Sequence, residues 1–344
     1  MNYLYQKKYF FFLIFFTLTI LFFLWSRLFW VSVLLLIISD ILSTQFISQF
    51  LKKKLPKVPY AFIKYFSLLI LPVCLTIFIR TFFFDVYFIP TRSMERTLSP
   101  NDYILVNKFL YGSKIPIYAC DIPVVGSLFI SNRGDDFNLY TPLKAFEKFS
   151  RENIVVFKST ESNTKFLVKR IIGLPGDTLQ IKNTNTYVNS ILLTQSVNFC
   201  YDYIEESKHE FEIYQNLSNS EYNDLNIEEK SKLKKKIQNS TSHSYNIFPI
   251  SKQTEWTQDN YGAIIIPKKG CGIVMTYMNY DFYKSIIKNY EKIDFQLDYG
   301  EKRNYIFKNN YYFMMGDNRH NSIDSRSYGF VPECNIQGKM MLKF

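Results

Sequence analysis

Two polar residues in apolar surroundings, Ser93 and Lys169, have the chemistry of a nucleophile and its base. Ser93 lies in the stretch "PTRSMERTL", which directly follows a long apolar run. Lys169 lies in "KFLVKRIIG", a run of β-branched and aliphatic residues that is typical of a strand. Because alternate residues of a strand share a face, Lys169 is predicted to lie between Leu167 and Ile171.

Burial between aliphatic side chains would change the chemistry of Lys169. Burial disfavours the charged ammonium form and lowers the pKa of a lysine. A lysine that is neutral near neutral pH can accept the proton of a serine hydroxyl and activate it as a nucleophile. The alternative for Lys169 is a side chain that extends its charged end to water at a strand edge. The alternative for Ser93 is an ordinary loop serine just outside a membrane span.

A polar turn near the C-terminus offers groups that could orient such a pair. The stretch "YYFMMGDNRHNSIDSRSYGFVPE" runs from an apolar strand into a turn rich in Asn, Ser, Asp and Arg. Its charged residues that can pair with one another, and two of its hydroxyl residues, are Asp317, Arg319, Asp324, Arg326, Ser322 and Ser325. Such a turn is either a surface turn closed by ion pairs or the support that orients a catalytic group.

The elements that must position these residues are predicted to be strands. Beyond residue 85, short β-branched and aromatic runs are separated by Gly, Pro, Asn and Asp, which is an all-β pattern. The predicted strands lie within 102–109, 153–159, 165–173, 177–183, 262–270 and 311–318. We therefore expect a β domain over 85–344, with a variable polar insertion at about 185–250. The charged part of this insertion, 205–246, is predicted to be helical or irregular and to carry no chemistry.

The first 84 residues, 1–84, have the pattern of a membrane anchor. Apolar runs over about 9–42 and 60–84 are candidate transmembrane helices, since a span needs roughly 20 residues. The first run is too long for one upright helix, so it forms either one long tilted helix, which we prefer, or two spans at about 9–25 and 28–48. A cleavable signal peptide is less favoured because no small-x-small cleavage site follows the run.

The charge distribution indicates on which side of the membrane each part lies. The chain has 41 Lys and Arg against 30 Asp and Glu, a net charge of +11. A nucleic-acid-binding protein could carry this charge, but the compact basic cluster within 51–59 lies between the two apolar runs. The positive-inside rule makes this segment a cytoplasmic loop and puts the chain after about residue 85 outside the cytoplasm. We therefore expect a lipid bilayer as partner and no nucleic acid.

The cysteine and histidine contents argue against a metal site. The five cysteines, which include no CxxC pair, are Cys74, Cys120, Cys200, Cys271 and Cys334. With only three histidines besides, a structural zinc site is not expected. One disulfide among the four cysteines that follow the spans stays open, and the sequence does not choose the pair.

Three segments together resemble the bacterial type I signal peptidases, a family of membrane-anchored serine–lysine proteases. In chain order, "PTRSMERTL", "VKRIIGLPGD" and "GDNRHNSIDSR" are similar to the serine, lysine and C-terminal motifs of that family. The order of parts also fits, with a membrane anchor first and the serine just after the last span. The resemblance covers 60–110, 150–182 and 255–340, and it is poor over 1–50 and 185–250.

The resemblance assigns a role to individual residues. Ser93 matches the nucleophile and Lys169 the general base. Thr91 matches the residue whose hydroxyl helps the Ser93 backbone N–H to bind the oxyanion, and Ser322 the serine that hydrogen-bonds the lysine amine. The residues that match the support of this wall are Asp317, Asp324 and Arg326. Met94 matches a position beside the substrate and is interpreted as structural.

The resemblance also implies a fold, a reaction and a location. The fold is an antiparallel β domain of the signal-peptidase type, and the reaction removes N-terminal signal peptides from exported preproteins through an acyl-enzyme. The family prefers small residues at −1 and −3 from the cut and needs no metal or other cofactor. The enzyme is expected to be a monomer in the bacterial cytoplasmic (inner) membrane, with its catalytic domain on the extracytoplasmic (periplasmic) side.

The chain departs from the family pattern at two places. The family usually has proline after "SMx", where this chain has Arg96. The family usually has "RGDxVVF", where this chain has "RENIVVF". Either Glu152 replaces the acid one position early or the turn at Asn153 differs. Neither change touches Ser93 or Lys169.

Other protein classes share parts of this pattern. A self-cleaving repressor-type serine–lysine protease would have a DNA-binding helix-turn-helix and no spans, the reverse of this chain. The endomembrane signal peptidases have histidine where this chain has Lys169. The histidines here, His209, His243 and His320, do not occupy motif positions expected of a base. A membrane-anchored β domain that binds exported proteins without cutting them is the alternative function.

Overall fold

The computed structural model contains an N-terminal helical region followed by a β domain. It describes residues 2–26, 28–42, 45–116, 122–124, 141–160, 165–194, 196–205, 213–238, 247–249, 255–294 and 296–344. The helices are α1 (Asn2–Ser26), α2 (Phe29–Leu42), α3 (Phe46–Lys54), α4 (Lys57–Phe82), α5 (Asn219–Asp224), α6 (Ile227–Lys232), α7 (Tyr280–Glu291) and α8 (Ser325–Tyr328). A single 3₁₀ turn, Glu333–Asn335, lies near the C-terminus of the described chain.

The first apolar run differs from the one long helix that we preferred. It forms two helices, α1 and α2, and between them the Leu28 amide donates a hydrogen bond to the Ser26 hydroxyl (3.2 Å). A serine hydroxyl that takes up a nearby amide offers the backbone an alternative to the helical hydrogen bond. Of the described helices, α4 alone is long and apolar enough to cross a bilayer, by length and composition. The apolar stretches Phe10–Ser26 and Val31–Asp40 are shorter.

The basic segment 51–59, which we expect to connect two spans on the cytoplasmic side, is mostly helical. Its lysines at 52–54 form the last turn of α3, and α4 begins at Lys57. Cationic side chains suit the C-terminal end of a helix, which carries partial negative charge. Pro56 lacks a backbone N–H and therefore separates α3 from α4.

The end of α4 is tied to the β domain through a buried carboxylate. Asp85, the second residue of the strand that follows α4, accepts hydrogen bonds from Arg80 Nε (2.7 Å) and Lys108 Nζ (2.8 Å). Lys108 Nζ also donates to the Arg80 carbonyl at 2.8 Å. Lys108 and Asp85 are both buried, so the pair fixes where the helix meets the sheet.

Strands occupy most of the chain beyond α4. They are β1 (Phe84–Phe88), β2 (Tyr103–Asn107), β3 (Lys114–Ile115), β4 (Thr141–Pro142), β5 (Ile154–Lys158), β6 (Phe166–Gly173), β7 (Thr178–Lys182), β8 (Asn185–Val188), β9 (Ile191–Leu192), β10 (Cys200–Glu205), β11 (Ile213–Ser218), β12 (Leu233–Lys235), β13 (Tyr261–Ile265), β14 (Gly272–Thr276), β15 (Lys302–Ile306), β16 (Tyr311–Met315), β17 (Val331–Pro332) and β18 (Ile336–Lys343). Each of the six predicted runs contains a strand, which confirms the all-β prediction.

The main sheet has seven strands in the order β1-β2-β18-β5-β6-β16-β17. Its neighbouring strands pair in antiparallel fashion. A second sheet has the order β13-β7-β8-β9, and shorter pairs join β14 to β15 and β3 to β4. Lys169 therefore lies on β6, an interior strand of the main sheet between β5 and β16, and its side chain is buried.

The predicted polar insertion is more ordered than a helical or irregular excursion. Within about 185–250 the structure has β8 and β9, then a separate sheet of order β11-β10-β12. The short helices α5 and α6 follow β11, and each begins with a capping box in which a Glu side chain closes the first turn. Local helix signals were thus correct for α5 and α6, but strand pairing of β10 with β11 requires contacts that the sequence pattern did not indicate.

The core lies on both faces of β16. Tyr311, Phe313 and Met315 pack into one hydrophobic cluster, together with Phe199. Tyr312 and Met314, which alternate with them, pack into a second cluster. Fully burying each large apolar side chain contributes about 1.5–3 kcal/mol. β16 is thus buried along its whole length and presents the polar turn after it from a rigid strand.

The cysteines among the described residues are free thiols. This holds for the cysteines that follow the spans, Cys200, Cys271 and Cys334, so the structure places no disulfide among these three. Cys120 lies outside the described residues. Within the described ranges, no group of three or more His, Cys, Asp or Glu side chains has the arrangement of a metal site.

Candidate active site

Residues 90–98, here called the nucleophile loop, follow β1 and hold Ser93 by burying its neighbours. Met94 and Leu98 are 1% and 0% exposed and pack with residues of β2. The Leu98 amide donates to the Met94 carbonyl at 2.7 Å, which closes the turn. Met94 is therefore part of the core, in line with its interpretation as structural, while Ser93 stays at the edge of the core, half-buried.

Ser93 and Lys169, 76 positions apart in the chain, meet in the structure. Lys169 Nζ lies 2.5 Å from Ser93 Oγ and donates a hydrogen bond to it. Lys169 is 3% exposed and pairs across the sheet with Val155 of β5. Leu167 and Ile171, its predicted neighbours on one strand face, belong to the hydrophobic cluster that includes Val155.

Burial destabilises the charged form of Lys169, so more of its amine is neutral and able to accept a proton near neutral pH. Desolvation is the largest influence and lowers the pKa of its ammonium group to about 8. The carboxylates of Asp324 and Asp317 act in the opposite direction, and the charge of Arg326 lowers the pKa further. A useful fraction of Lys169 is therefore neutral near physiological pH.

Thr91 lies beside Ser93 and is exposed. Its Oγ1 is 3.3 Å from Ser93 Oγ, and either hydroxyl can donate. Thr91 is exposed, so a bound substrate could reach its hydroxyl. The side chain is thus close enough to Ser93 to serve the oxyanion that would form there.

The carboxylate of Asp317 joins the polar turn to the sheet. Arg170 of β6 donates to it through Nε (2.8 Å) and Nη2 (2.5 Å), a bidentate pair. Thr97 of the nucleophile loop donates to Asp317 Oδ2 at 2.6 Å. The sequence predicted pairs within the turn, but strand alternation turns Arg170 away from Lys169 and towards Asp317. Arg319 instead lies over the ring of Phe199, with 3.9 Å from its guanidinium carbon to the ring centroid.

Asp324 and Arg326 form a fully buried pair within the turn. Arg326 donates to Asp324 through Nε (2.9 Å) and Nη2 (2.8 Å). Asp324 Oδ2 also accepts from the Gly316 amide (3.0 Å). Burial acts to raise the pKa of Asp324, but the charge of Arg326 and these hydrogen bonds outweigh it and lower the pKa. The predicted ion pair is present, and the hydrogen bond from the Gly316 amide to Asp324 joins it to the start of the polar turn.

Ser322 lies against the site but does not make the predicted hydrogen bond to Lys169. Its hydroxyl is buried and has no hydrogen-bond partner among the described residues. A Cβ at Gly316 would collide with this hydroxyl and with the Ser93 carbonyl, which shows how closely the three residues pack. Lys169 Nζ is directed at Ser93 instead, so the orienting role of Ser322 stays a prediction.

Asn318 is a further site residue to which the sequence pattern gave no role. Its backbone amide donates to the Ser93 carbonyl at 3.1 Å. Its side-chain amide donates to the Arg92 carbonyl (3.2 Å) and to Glu95 Oε2 (3.3 Å). Asn318 therefore fixes the nucleophile loop on both sides of Ser93. In the sequence, the only indication of this role is the position of Asn318 within "GDNR". The sequence does not show that this segment contacts the nucleophile loop.

His320 is occupied away from the Ser93 and Lys169 pair. Its Nδ1 accepts from the Asp202 amide (2.8 Å), and its Nε2 lies 3.1 Å from Asp259 Oδ1. Both ring nitrogens thus join the polar turn to neighbouring segments, which is a structural role. His209 and His243 lie outside the described residues.

The first departure from the family pattern, Arg96, has a backbone reason. Arg96 has a φ of 69°, a left-handed value that proline cannot adopt because its ring holds φ near −65°. Its guanidinium pairs with Glu221 of α5 through Nε (3.0 Å) and Nη2 (2.9 Å). The loop turn therefore differs at this position, and the arginine reaches out of the loop.

At the second departure, the structure shows the conformation of the turn that carries Glu152 and Asn153. Glu152 occupies the position of the family's glycine and has a φ of 70°. Asn153 replaces the acid, and its Oδ1 accepts from the Ser150 amide at 3.1 Å. The Glu152 carbonyl accepts from Arg170 Nη1 at 3.0 Å, so the turn still contacts the site.

The arrangement supplies the parts of a hydrolytic site based on a serine. A buried amine with a lowered pKa contacts a half-buried hydroxyl, and buried ion pairs fix the walls around it. A neutral amine can take the hydroxyl proton, and the resulting alkoxide can attack a carbonyl carbon. The side chains present therefore fit acyl transfer.

Sequence comparisons with known proteins identify one family. The family model described as "Signal peptidase, peptidase S26" matches residues 62–344. Signal peptidase I of Buchnera aphidicola subsp. Baizongia pistaciae is 31% identical over 286 residues, 78% of this chain and 73% of the relative. Signal peptidase I of Aquifex aeolicus is 27% identical over 278 residues, 79% of each chain. A crystal structure of a signal peptidase I from Enterococcus faecalis matches at 18% identity with a TM-score of 0.24, covering 57% of this chain and 98% of that one. The chain belongs to the signal peptidase family of peptidases, peptidase S26.

Proposed function

We propose that this protein is a signal peptidase I, a serine endopeptidase that removes N-terminal signal peptides from exported preproteins. The observation that carries the proposal is the 2.5 Å contact between Lys169 Nζ and Ser93 Oγ, made by a lysine with a pKa of about 8. Ser93 is the nucleophile and Lys169 the general base. The proposal extends the family membership to a mechanism and to named residues.

The first half of the reaction forms an acyl-enzyme. Neutral Lys169 takes the Ser93 proton as Ser93 Oγ attacks the scissile carbonyl carbon. The resulting oxyanion accepts hydrogen bonds from the Ser93 N–H and the Thr91 hydroxyl, and one such donor contributes about 2.7–4 kcal/mol to transition-state stabilisation. Lys169 then gives its proton to the leaving amine, the peptide C–N bond breaks, and an ester joins the signal peptide to Ser93.

The second half returns the enzyme to its starting state. Lys169, neutral again, takes a proton from a water molecule, which attacks the ester carbonyl. The ester bond breaks, the lysine proton returns to Ser93 Oγ, and the signal peptide leaves with a free carboxylate. The buried pair of Asp324 with Arg326 and the Asp317 carboxylate keep the residues around Lys169 rigid through both halves. In this proposal the Ser322 hydroxyl accepts a hydrogen bond from the lysine amine during the reaction, a contact that the structure does not contain.

The setting of the reaction follows from the N-terminal helices. α4 leads directly into β1, so a bilayer around α4 would hold the nucleophile loop near the membrane surface. The basic residues at the end of α3 and the start of α4 support a cytoplasmic position for that end and an extracytoplasmic position for the β domain. Enzyme and preprotein would then meet in the plane of the membrane, with the enzyme as a monomer and small residues preferred at −1 and −3.

A preprotein cleavage assay tests the proposal. Ser93→Ala and Lys169→Met should each abolish cleavage in detergent or vesicles, because one removes the nucleophile and the other the base. Lys114→Met is a matched control: Lys114 is also buried with a pKa lowered to about 8, but its amine donates to the carbonyls of Glu333 and Cys334. Lys114→Met should retain cleavage once folding is verified.

Two results would count against the proposal. Full cleavage by Ser93→Ala or Lys169→Met would remove the dyad mechanism. Binding of preproteins by the unaltered protein, with no cleavage at any tested pH, would favour the alternative of a membrane-anchored binding domain.

A further inference from the structure

The polar insertion reaches the nucleophile loop, although its sequence predicted no connection with the site. We call the sheet β10-β11-β12 together with α5 and α6 the insertion arm. Its described residues are 200–205 and 213–235. The arm meets the nucleophile loop and the polar turn at two separate places.

The first contact is the ion pair between Glu221 and Arg96. Both carboxylate oxygens of Glu221 engage the guanidinium, at 3.0 Å and 2.9 Å, which fixes direction as well as distance. The two side chains are 40% and 41% exposed, and such pairs contribute only about 0–1 kcal/mol to stability. The contact is therefore better explained by the geometry that it imposes on the loop than by added stability.

Glu221 is itself held rigidly before it meets Arg96. Its Oε2 accepts from the Ser218 amide (2.8 Å) and from the Ser218 hydroxyl (2.9 Å), in the capping box of α5. Ser218 pairs with Cys200 across β10 and β11. The carboxylate is thus anchored to the arm's sheet, and its position passes directly to Arg96.

The second contact runs through the polar turn. Asn216 of β11 donates through Nδ2 to Asn318 Oδ1 (3.1 Å), and the Asn318 amide donates to the Ser93 carbonyl (3.1 Å). The Cys200 amide also donates to the Asp317 carbonyl at 2.9 Å. The arm is therefore connected to the Ser93 backbone by a second path, which does not involve Arg96.

We propose that the insertion arm positions the nucleophile loop for catalysis, with Glu221 and Asn216 as positioning residues that act through Arg96 and Asn318. This inference rests on the proposed function of Ser93 as nucleophile. Arg96 lies three residues after Ser93, so rotation of the loop at Arg96 would move Ser93 Oγ relative to Lys169. A misplacement of about 1 Å in an active site can reduce rate by up to about 10²-fold.

The test removes one charge and keeps the fold. Glu221→Gln loses the ion pair, yet glutamine can still close a capping box at this position. Glu229→Gln is the matched control, because Glu229 closes the equivalent capping box of α6 with Asn226. Preprotein cleavage by Glu221→Gln should show kcat about 3–10-fold lower with KM unchanged, since positioning acts in the transition state. Glu229→Gln should stay within about twofold of the unaltered enzyme.

A double-mutant cycle separates positioning from general damage. If Glu221 acts through Arg96, the double variant Arg96→Gln with Glu221→Gln should have a kcat no lower than that of the less active single variant. Adding Asn216→Ala to Glu221→Gln should lower kcat below that of Glu221→Gln alone, because Asn216 acts through Asn318 and not through Arg96. The melting temperatures of Glu221→Gln and Glu229→Gln should agree.

The possible failures are distinguishable. Absence of cleavage by the unaltered enzyme would overturn the proposed function. Normal cleavage by the unaltered enzyme, together with equal kcat for Glu221→Gln and Glu229→Gln, would overturn the role of the arm. Additive losses in the cycle, or a rise in KM alone, would overturn it as well.

Discussion

The chemistry of Lys169 depends on where β6 places it. The residue is in the middle of the main sheet, flanked by strands on both sides and 3% exposed. Burial there lowers the pKa of its amine to about 8, although two buried carboxylates, Asp317 and Asp324, act against the shift. Desolvation therefore outweighs charge attraction, and the lysine can act as a base without a histidine.

The pH dependence of cleavage follows from this pKa. The base is active only when neutral, so at pH 7 about a tenth of Lys169 is active if its pKa is about 8. We expect kcat/KM to rise nearly tenfold per pH unit below pH 8 and to level off above it. Initial cleavage rates between pH 6 and 10 measure this, with circular dichroism at each pH as the control for folding. A rate that falls as the pH rises from 6 to 8 would contradict the assignment.

At Arg96 the backbone angle φ excludes proline, the residue that the family pattern favours at this position. We expect Arg96→Pro to lower kcat/KM at least about tenfold, because proline cannot adopt the φ of 69° and the loop must shift. Arg96→Gly is the control, since glycine adopts this angle freely and loses only the pair with Glu221. The proline variant should be clearly less active than the glycine variant in the same assay. Equal activities would show that the angle is not important.

At the scale of elements, the connection between strands matters as much as the strands. β5 begins just after a turn that places Glu152 in a left-handed conformation, with a φ of 70°. The same turn offers its carbonyl to Arg170, which pairs with Asp317 in the polar turn after β16. Arg170, the residue next to Lys169 on β6, thus joins the turn before β5 to the polar turn after β16.

Relief of strain in this turn is predicted to stabilise the protein. A left-handed conformation destabilises the folded state by about 1–2 kcal/mol for a residue other than glycine. Against this, glycine lowers the free energy of unfolding by about 0.4–1 kcal/mol, because it gives the unfolded chain more conformational freedom. Glu152→Gly should therefore raise the free energy of unfolding by roughly 0.5–1 kcal/mol. Lys302→Gly, in β15 and exposed, is the control and should lower it by about 0.5–1 kcal/mol. Urea unfolding in detergent measures both, and a loss of stability in Glu152→Gly would refute the argument.

At the scale of the molecule, the N-terminal helices and the β domain meet at the buried carboxylate of Asp85. α4 passes into β1 with Phe83 alone between them, and Asp85 binds both Arg80 of the helix and Lys108 after β2. The direction in which α4 leaves the domain is therefore set close to the nucleophile loop. The insertion arm contacts the same loop through Glu221 and Arg96.

Removal of the shared carboxylate should destabilise the whole chain. Asp85→Ala leaves the amine of Lys108 buried without its counter-charge, and such a loss costs about 3–5 kcal/mol. Asp294→Ala is the control, because its pair with Lys288 (3.3 Å) is exposed on both sides and should cost only about 0–1 kcal/mol. Thermal unfolding in detergent compares the two variants. Similar melting temperatures for both would mean that the buried pair does not fix the junction.

The sequence by itself determined six of the strands and the two main candidates for chemistry. Alternation in "KFLVKRIIG" predicted a strand with Lys169 between aliphatic residues, and each of the six predicted runs contains a strand. Family motifs then connected Lys169 with Ser93. These features are readable because they are local: side-chain alternation, apolar runs and motif spacing need no knowledge of what packs against them.

Only the tertiary structure decided which distant side chains meet. Asp317 pairs with Arg170 instead of a neighbour in its turn, and Ser322 lies beside the site without the predicted bond to Lys169. The insertion arm, which had no expected role, binds Arg96 through Glu221. These contacts join residues more than a hundred positions apart, or depend on which strand face turns inward. Such choices are set by packing of whole sheets against one another, and no local pattern in the chain encodes them.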